Sequence, residues 1–503
     1  MTTRETVRRI HAWEKGRPLP RFSTLEYRVN KKRDCFGLVF IRMAGETRPW
    51  SIMAGTLDSE PRFFFAPEPR NRLAVDEIVD EAAESLLQFM NDWMQTQNTS
   101  TIPQFWFPDE THIDMLHNIE YAYSRERKSG EKRPKRSGFG RLAGWLFREH
   151  QLKGQQTAIV CNRVIAESWT IPVEDTRQAH LGHALAWLKG KGDLLKTIAE
   201  ANIAIEKRVG ITLNPDIERR FLEKPVKALR DGTDSEKTSA EKKIKRVLIE
   251  ESQRRWDLML DAYDVLSSDS RRENRGVINL VDSSRQRLLT NYARIEEGIK
   301  DELSGTPAFV PHPETDRDPA AAASAYIVMN KAEELWLDTL VDDDAERLHD
   351  MVETGDAFAG IIKKVTPISA RSQAAFWLIR TTHVGPLRMK SGDEVRLVGP
   401  YAKSGYIEEI LIDGEGKIEV FLSINFGVKP VTGAPKPVNL SVNDAGWKGT
   451  AVSFVPKPFT GQYAKIKRIW EAKDSPGAWL THSVPKREDP EPTPNDVGQI
   501  ADS

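Results

Sequence analysis

A chain of 503 residues with 73 Lys and Arg against 74 Asp and Glu carries a formal charge of -1, so no global field draws it to a polyanion and any nucleic-acid contact must be local. At about 100 to 200 residues per domain, the length allows three or four domains with real hydrophobic cores. Two cysteines, Cys35 and Cys161, exclude a disulfide framework or a cysteine zinc site and suggest buried thiols in a reducing, cytoplasmic compartment.

The opening MTTRETVRRIHAWEKGRPLP lacks the apolar core of a secretory leader, and no apolar run approaches the roughly 18 residues of a membrane span; a membrane role is not expected. Phe22–Val29, Cys35–Met43, Arg48–Ala54 and Arg62–Phe65 are β-rich runs joined by polar turns, which predicts an antiparallel meander. Leu73–Met94 then spaces Ile78, Ala82, Leu86, Leu87, Met90 and Trp93 as a helical stripe suited to covering one face of that sheet. Residues 1–100 are expected to be an α+β module.

Over 101–304 the pattern turns helical, with Leu, Val or Trp stripes in 142–147, 158–169 and 180–187. Thr238–Leu266 reads as a long helix with Ile244, Leu248, Trp256, Met259 and Tyr263 on one side. Val277–Ile299 has the same period and would return antiparallel to it, giving a helical hairpin over 238–300. Four prolines mark a linker at 305–320, and 321–386 is expected to be a mainly helical connector ending in the β-rich AAFWLIRTT. After a barrel at 387–456, discussed below, the extension 457–503 ends in a tail that is disordered by composition.

The strongest charge cluster is SRERKSGEKRPKRSGFGR at 124–141, with eight Lys or Arg against two Glu. Such a basic loop neutralises phosphates and gains affinity by counterion release, which makes Arg125, Arg127, Lys128, Lys132, Arg133, Lys135, Arg136 and Arg141 candidate phosphate contacts. Phe139 would stack on an unpaired base. Gly138, Gly140 and Gly144 lead into a helix at 141–149 whose first amides could hold a phosphate, although the spacing is not a dinucleotide fingerprint. A second basic face comes from Lys242, Lys243, Lys245 and Arg246, continued by Arg254 and Arg255; interleaved Glu241, Glu250 and Glu251 offer ordinary ion pairs as the plain explanation.

For chemistry, Asp109, Glu110, Asp114 and His117 could supply carboxylate and imidazole ligands from one helix face, and Glu26, Asp34 and Glu46 a dispersed carboxylate set. Acidic residues after Pro108 are equally what a helix start prefers, and His180 and His183 fit a core-facing helix. No P-loop, zincin, hydrolase or thiol-enzyme motif is present, so no catalytic residue, metal or cofactor is assigned.

Within Met389–Trp447, Glu394–Val398, Tyr406–Ile412, Lys417–Ile424 and Val438–Val442 alternate as four short strands between Gly-Pro, Asp-Gly-Glu-Gly and Gly-Ala-Pro-Lys-Pro breaks. With Gly392-Asp393, Val395-Arg396, Gly399-Pro400-Tyr401, Gly405, Phe426-Gly427 and Pro430-Val431 in that order, the segment resembles the KOW domain of NusG-type transcription factors. That resemblance implies an SH3-like barrel that docks on nucleic acid or protein, here through Arg396, Tyr401, Lys403 and Trp447. The chain as a whole is expected to be an α+β multi-domain protein: an N-terminal antiparallel sheet with a helix, a central helical domain with a long hairpin, and a C-terminal SH3-like barrel. Its expected role is a non-enzymatic, nucleic-acid-binding subunit that joins other protein subunits in a mobile-element, antiviral-defence or transcription-associated assembly. A divergent metal-dependent nuclease and a protein-only scaffold are the alternatives.

Overall fold

A computed structural model describes residues 3–21, 27–95, 102–124, 135–152, 154–190, 193–269, 281, 340–342, 344–368, 374–382, 387–399, 404–412, 414, 417–425 and 445–457. The chain opens with helix α1 (Thr3–Glu14) and a two-residue strand β1 (Leu19–Pro20). The meander follows as β2 (Cys35–Ile41), β3 (Ser51–Thr56) and β4 (Arg62–Phe65), each antiparallel to the next. Of the first expected strand, 22–26 lie outside the described residues and 27–29 form no strand.

The sheet does not end there. Helix α2 (Arg72–Gln95) crosses one face and delivers β5 (Gln104–Phe107), which pairs parallel to β2. Helices α3 (Glu110–Tyr123) and α4 (Lys135–Glu149) lead to β6 (Ala158–Val160), parallel to β5. The strand order is β4-β3-β2-β5-β6, so the expected antiparallel sheet is one side of a mixed, five-stranded sheet that runs past residue 100. Both added strands are short and buried on both faces, and such runs lack the alternation that marks a half-buried strand.

Helices α5 (Cys161–Ser168), α6 (Asp175–Gln178), α7 (Leu181–Lys189), α8 (Leu194–Ile205), α9 (Pro215–Ile217), α10 (Glu223–Asp231) and the 34-residue α11 (Asp234–Ser267) follow. Strand β7 (Trp169–Thr170), after α5, pairs with β1. These helices are not a separate helical domain. Phe36, Leu38 and Phe40 of β2 pack with α2, α3 and α4, whereas Cys35 and Val39 pack with α5, α7 and α11 on the opposite face. Three layers result, helix on sheet on helix, which is why CFGLVFI is apolar throughout. Gly37 lets α11 lie directly on β2, because a Cβ there would come within 2.4 Å of Met259 and 2.6 Å of Trp256.

The C-terminal region begins with α12 (Ala345–Glu353). It continues through β8 (Phe358–Pro367), β9 (Ala375–Thr381), β10 (Glu394–Leu397), β11 (Ser404–Ile412), β12 (Ile418–Asn425) and β13 (Ala451–Pro456). These six strands close into an antiparallel barrel in the order β10-β11-β12-β9-β8-β13. The barrel therefore starts at Phe358: β9 coincides with the expected β-rich run AAFWLIRTT, and β8 stands where the connector was expected to be helical. Trp377, Val395, Leu422 and Phe454 are among its buried core. The expected strand Val438–Val442, the return helix 277–299, the linker 305–320 and the tail from 458 lie outside the described residues. Among the described residues no helix is long and apolar enough to cross a membrane.

Candidate nucleic-acid interface

Residues 125–134, and with them Arg125, Arg127, Lys128, Lys132 and Arg133, lie outside the described residues. The rest of the basic segment is the start of α4, and its groups are already engaged. Lys135 Nζ meets Glu84 Oε1 of α2 at 2.6 Å, and this ammonium holds the Glu84 carboxyl below its ordinary range. Asp80 accepts the backbone N–H of Arg136 at 2.7 Å and also pairs with its guanidinium; the helix expected at 141–149 begins at Lys135, so the amides at 141 lie inside it and its actual amide end faces an α2 carboxylate. Arg141 donates to Ser137 Oγ at 3.3 Å. Phe139 is fully buried in the core under α2 and α3 and cannot stack on a base.

The glycines of this segment serve packing, not phosphate. A Cβ at Gly140 would sit 2.6 Å from Ser124 N, and one at Gly144 would overlap the Glu120 side chain. They bring α3 and α4 into close contact, with Arg148 donating to Glu120 Oε1 at 2.8 Å alongside.

The second basic face fares differently. Lys242, Lys243, Lys245 and Arg246 are all exposed on the first half of α11. Arg246 pairs with Glu250 at 2.9 Å, and Lys245 lies 5.6 Å from the Phe65 ring. Among the described residues Lys242 and Lys243 form no ion pair. Arg254 and Arg255 do not belong to this face: Arg255 is fully buried and both bind Glu251.

Beside α11 stands a feature that the sequence reading missed. Residues Glu218–Leu222 form a single π-helical turn before α10, and Pro225 explains it: proline has no N–H for the Phe221 carbonyl and its ring crowds that group. The turn presents Arg219, Arg220 and Phe221 to solvent, the last 58% exposed, and α10 adds exposed Lys224, Lys227 and Arg230. Leu222 packs with Ile244 and Leu248, which holds α10 against the start of α11. Residues 215–250 hold 10 basic and 8 acidic side chains, so placement decides the local field. Asp231, Asp234 and Glu236 gather at the hairpin turn, where Glu236 closes a capping box with Thr233, while Glu223, Glu241 and Glu250 are interleaved with the cations along the body. Arg220, Lys224 and Lys227 at i, i+4 and i+7 between the Asn214 cap and Gly232 were the signal available in the sequence.

In open α/β sheets ligands gather at the carboxyl ends of parallel strands, where the strand order reverses. Here that point lies between β2 and β5, and the chain's own segment 207–213 fills it. Arg255 Nε donates to the carbonyls of Val209 at 3.1 Å and Gly210 at 3.0 Å, and Nη2 to that of Thr212 at 3.2 Å. His112 Nδ1 accepts from Phe40 N at 3.0 Å while Nε2 donates to Val209 O at 3.2 Å. Burial pulls the Arg255 guanidinium down to about 10, which leaves it charged, and the His112 imidazole down to about 4, which leaves it neutral. Burial alone would raise the Glu251 carboxyl, but the Arg254 and Arg255 guanidiniums hold it low.

Asp109 caps α3 by accepting from Thr111 N at 2.9 Å and also accepts from Asn162 Nδ2 at 3.2 Å. His117 stacks on Phe147 and lies 3.7 Å from Glu120, and His180 caps α7. Of the dispersed carboxylates, Glu26 is outside the described residues and Glu46 accepts from Arg70 at 2.8 Å. Among the described residues no group of three His, Cys, Asp or Glu is placed to hold a metal ion.

On the barrel, Arg396 is clamped by Asp342 at 2.9 Å, and the same carboxylate accepts the Gly399 N–H. Trp447 is buried against Trp377, ring centroids 5.1 Å apart. Neither is free to dock a partner; both were read as surface residues because their covering groups lie far away in sequence. Tyr401 and Lys403 lie outside the described residues. No family model, no curated protein and no solved structure matches the chain.

Proposed function

We propose that this chain binds the phosphate backbone of nucleic acid along the exposed ridge of α10 and α11, as a non-enzymatic subunit of a larger nucleic-acid-handling assembly. The observation that carries this reading is the number of exposed cations on one helical hairpin. Arg219, Arg220, Lys224, Lys242, Lys243 and Lys245 are all exposed there, as is Phe221, and Lys242 and Lys243 form no ion pair among the described residues, although Glu223, Glu241 and Glu250 are interleaved with them. Cations spread along a ridge suit a polyanion, and an aromatic between arginines adds a surface for stacking on an unpaired base. Residues 125–133 would add a second, sequence-independent grip. The C-terminal barrel would dock other subunits, in keeping with the resemblance of 389–447 to KOW domains.

The test is binding to labelled duplex and single-stranded DNA and RNA across a salt series. It compares wild type, a ridge variant (Lys242, Lys243, Lys245 and Arg246 to Ala) and a loop variant (Lys128, Lys132 and Arg133 to Ala). Each lost phosphate contact lowers the log-log salt slope by about 0.9 on duplex DNA, so four lost contacts would flatten it by up to about 3.6. A ridge variant with the wild-type slope overturns the assignment to α11, and no binding at low salt supports a protein-only scaffold instead.

A further inference from the structure

The outer face of the barrel strands β8, β9, β12 and β11 holds a row that is apolar in the middle and oppositely charged at its two ends, beside a row in which Arg380 and Glu419 pair between Ile361 and Leu411. The strand registers put Lys364, Leu378, Phe421 and Glu409 in one row across the four strands. The next row is Thr366, Phe376, Ser423 and Tyr406. Phe376 and Phe421 stack with ring centroids 5.1 Å apart and planes 16° from parallel; they point away from the barrel core and remain half-buried with Leu378. Tyr406 is 42% exposed.

Both flanks carry a bulge. The β8 ladder slips between Ile362 and Lys364, and the β11 ladder between Ile407 and Glu409, so each flank presents a like-charged pair: Lys363-Lys364 on one, Glu408-Glu409 on the other. All four side chains are exposed, and among the described residues none forms an ion pair. Bulges and edge charges block the addition of a further strand, which leaves the face itself as the surface able to take a partner.

We infer that this face pairs with the same face of a second copy of the chain. A two-fold axis lying between the faces and parallel to the strands exchanges their two sides. It sets the lysine flank of one copy over the glutamate flank of the other, twice, and brings the aromatic centres together; an axis across the strands would oppose like charges. The charge pattern is thus self-complementary in one orientation. With strands about 4.8 Å apart the row spans about 15 Å, which is small against the roughly 800 Å² per partner of a standard interface. Weak association follows, with Kd in the range of about ten to a few hundred micromolar.

The experiment is sedimentation equilibrium of the full chain between about 1 and 200 µM, for wild type, Lys364→Glu, Glu409→Lys, the double variant, and an equimolar mixture of the two single variants. Each single reversal puts like charges face to face twice and should weaken association about ten-fold. The double variant restores wild-type behaviour, and the mixture forms a heterodimer tighter than either single variant with itself. A wild type that stays monomeric throughout, as it would with the face covered by its own chain, overturns the inference. So does association that ignores both single reversals, or a mixture no tighter than its components. The outcome is independent of nucleic-acid binding, which uses the α10–α11 ridge.

Discussion

His112 makes the closure of the β2–β5 crevice titratable. Its ring joins three parts of the chain, accepting from Phe40 of β2 through Nδ1 and donating to Val209 of the inserted segment through Nε2, from a fully buried position. Both bonds require the neutral ring, since a second proton removes the acceptor that Phe40 N–H needs. Burial holds the folded-state value at about 4, against about 6.5 for an exposed imidazole. The unfolded state therefore binds more protons between those values, and stability falls as pH falls. The contribution is complete above about pH 6.5 and lost at about pH 4. A separation of about 2.5 units at 1.36 kcal/mol each gives about 3 kcal/mol in all.

The perturbation that isolates this term is His112→Asn, whose side-chain oxygen can still accept from Phe40 but which does not titrate. Urea unfolding followed by tryptophan fluorescence, at steps from pH 7.5 to 4.5, gives the stability difference between wild type and variant. At pH 7.5 wild type is the more stable, because the variant loses the Nε2 bond to Val209 O, which then keeps only its bond from Arg255 Nε. By pH 4.5 that advantage should shrink by about 2 to 3 kcal/mol. His183, which burial also pulls down to about 4, is present in both proteins and cancels. A difference that stays constant across the range would refute the argument, since the ring would then carry no depressed proton affinity.

Gly140→Ala should destabilise by about 1 to 3 kcal/mol in thermal melts, because its Cβ would meet the Ser124 backbone at 2.6 Å, whereas Gly144→Ala should cost less because the obstacle is the movable Glu120 side chain. Equal losses would contradict the close helix contact. Arg255→Met removes a buried charge but strands the Gly210 and Thr212 carbonyls and leaves Val209 O only its bond from His112; a loss of about 3 to 5 kcal/mol by denaturant unfolding is expected, with faster amide exchange across 207–213. Phe139→Ala should cost about 3 to 5 kcal/mol of stability and leave the salt slope of nucleic-acid binding unchanged at a temperature where the variant is folded. A flattened slope in that variant would return Phe139 to the interface.

What the sequence disclosed depended on how far each residue's partner lies along the chain. The α2 stripe, the three β-runs from Glu394 onward that fall among described residues, and the long α11 could all be read from local periodicity, and they lie within a few residues of their expected bounds. The short strands β5 and β6 gain their identity from pairing, β5 with β2 across about 70 residues and β6 with β5 in turn, contacts that no window of the sequence contains. Joining them to the meander is what turns a supposed helical domain into the outer layers of one sandwich.

The same distance effect explains which charges were misread. Lys135 and Arg136 look like part of a phosphate-binding loop until Glu84 and Asp80, more than 50 residues upstream, arrive on α2; Arg396 looks exposed until Asp342 arrives from beyond the start of β8. Arg136 and Arg396 must break largely covered pairs with Asp80 and Asp342 before they can reach a phosphate, which is costly, whereas the Lys135–Glu84 pair is solvent-exposed. Lys242 and Lys243 are different, because their carboxylate neighbours on α11 are exposed and water-screened, so a polyanion displaces them at little expense. The density of Lys and Arg in a sequence window therefore does not separate cations held by distant carboxylates from those left at the surface. Counting only cations that remain at the surface, away from fixed carboxylates, moves the candidate interface from the start of α4 to the α10–α11 ridge, where the salt-slope comparison can locate it.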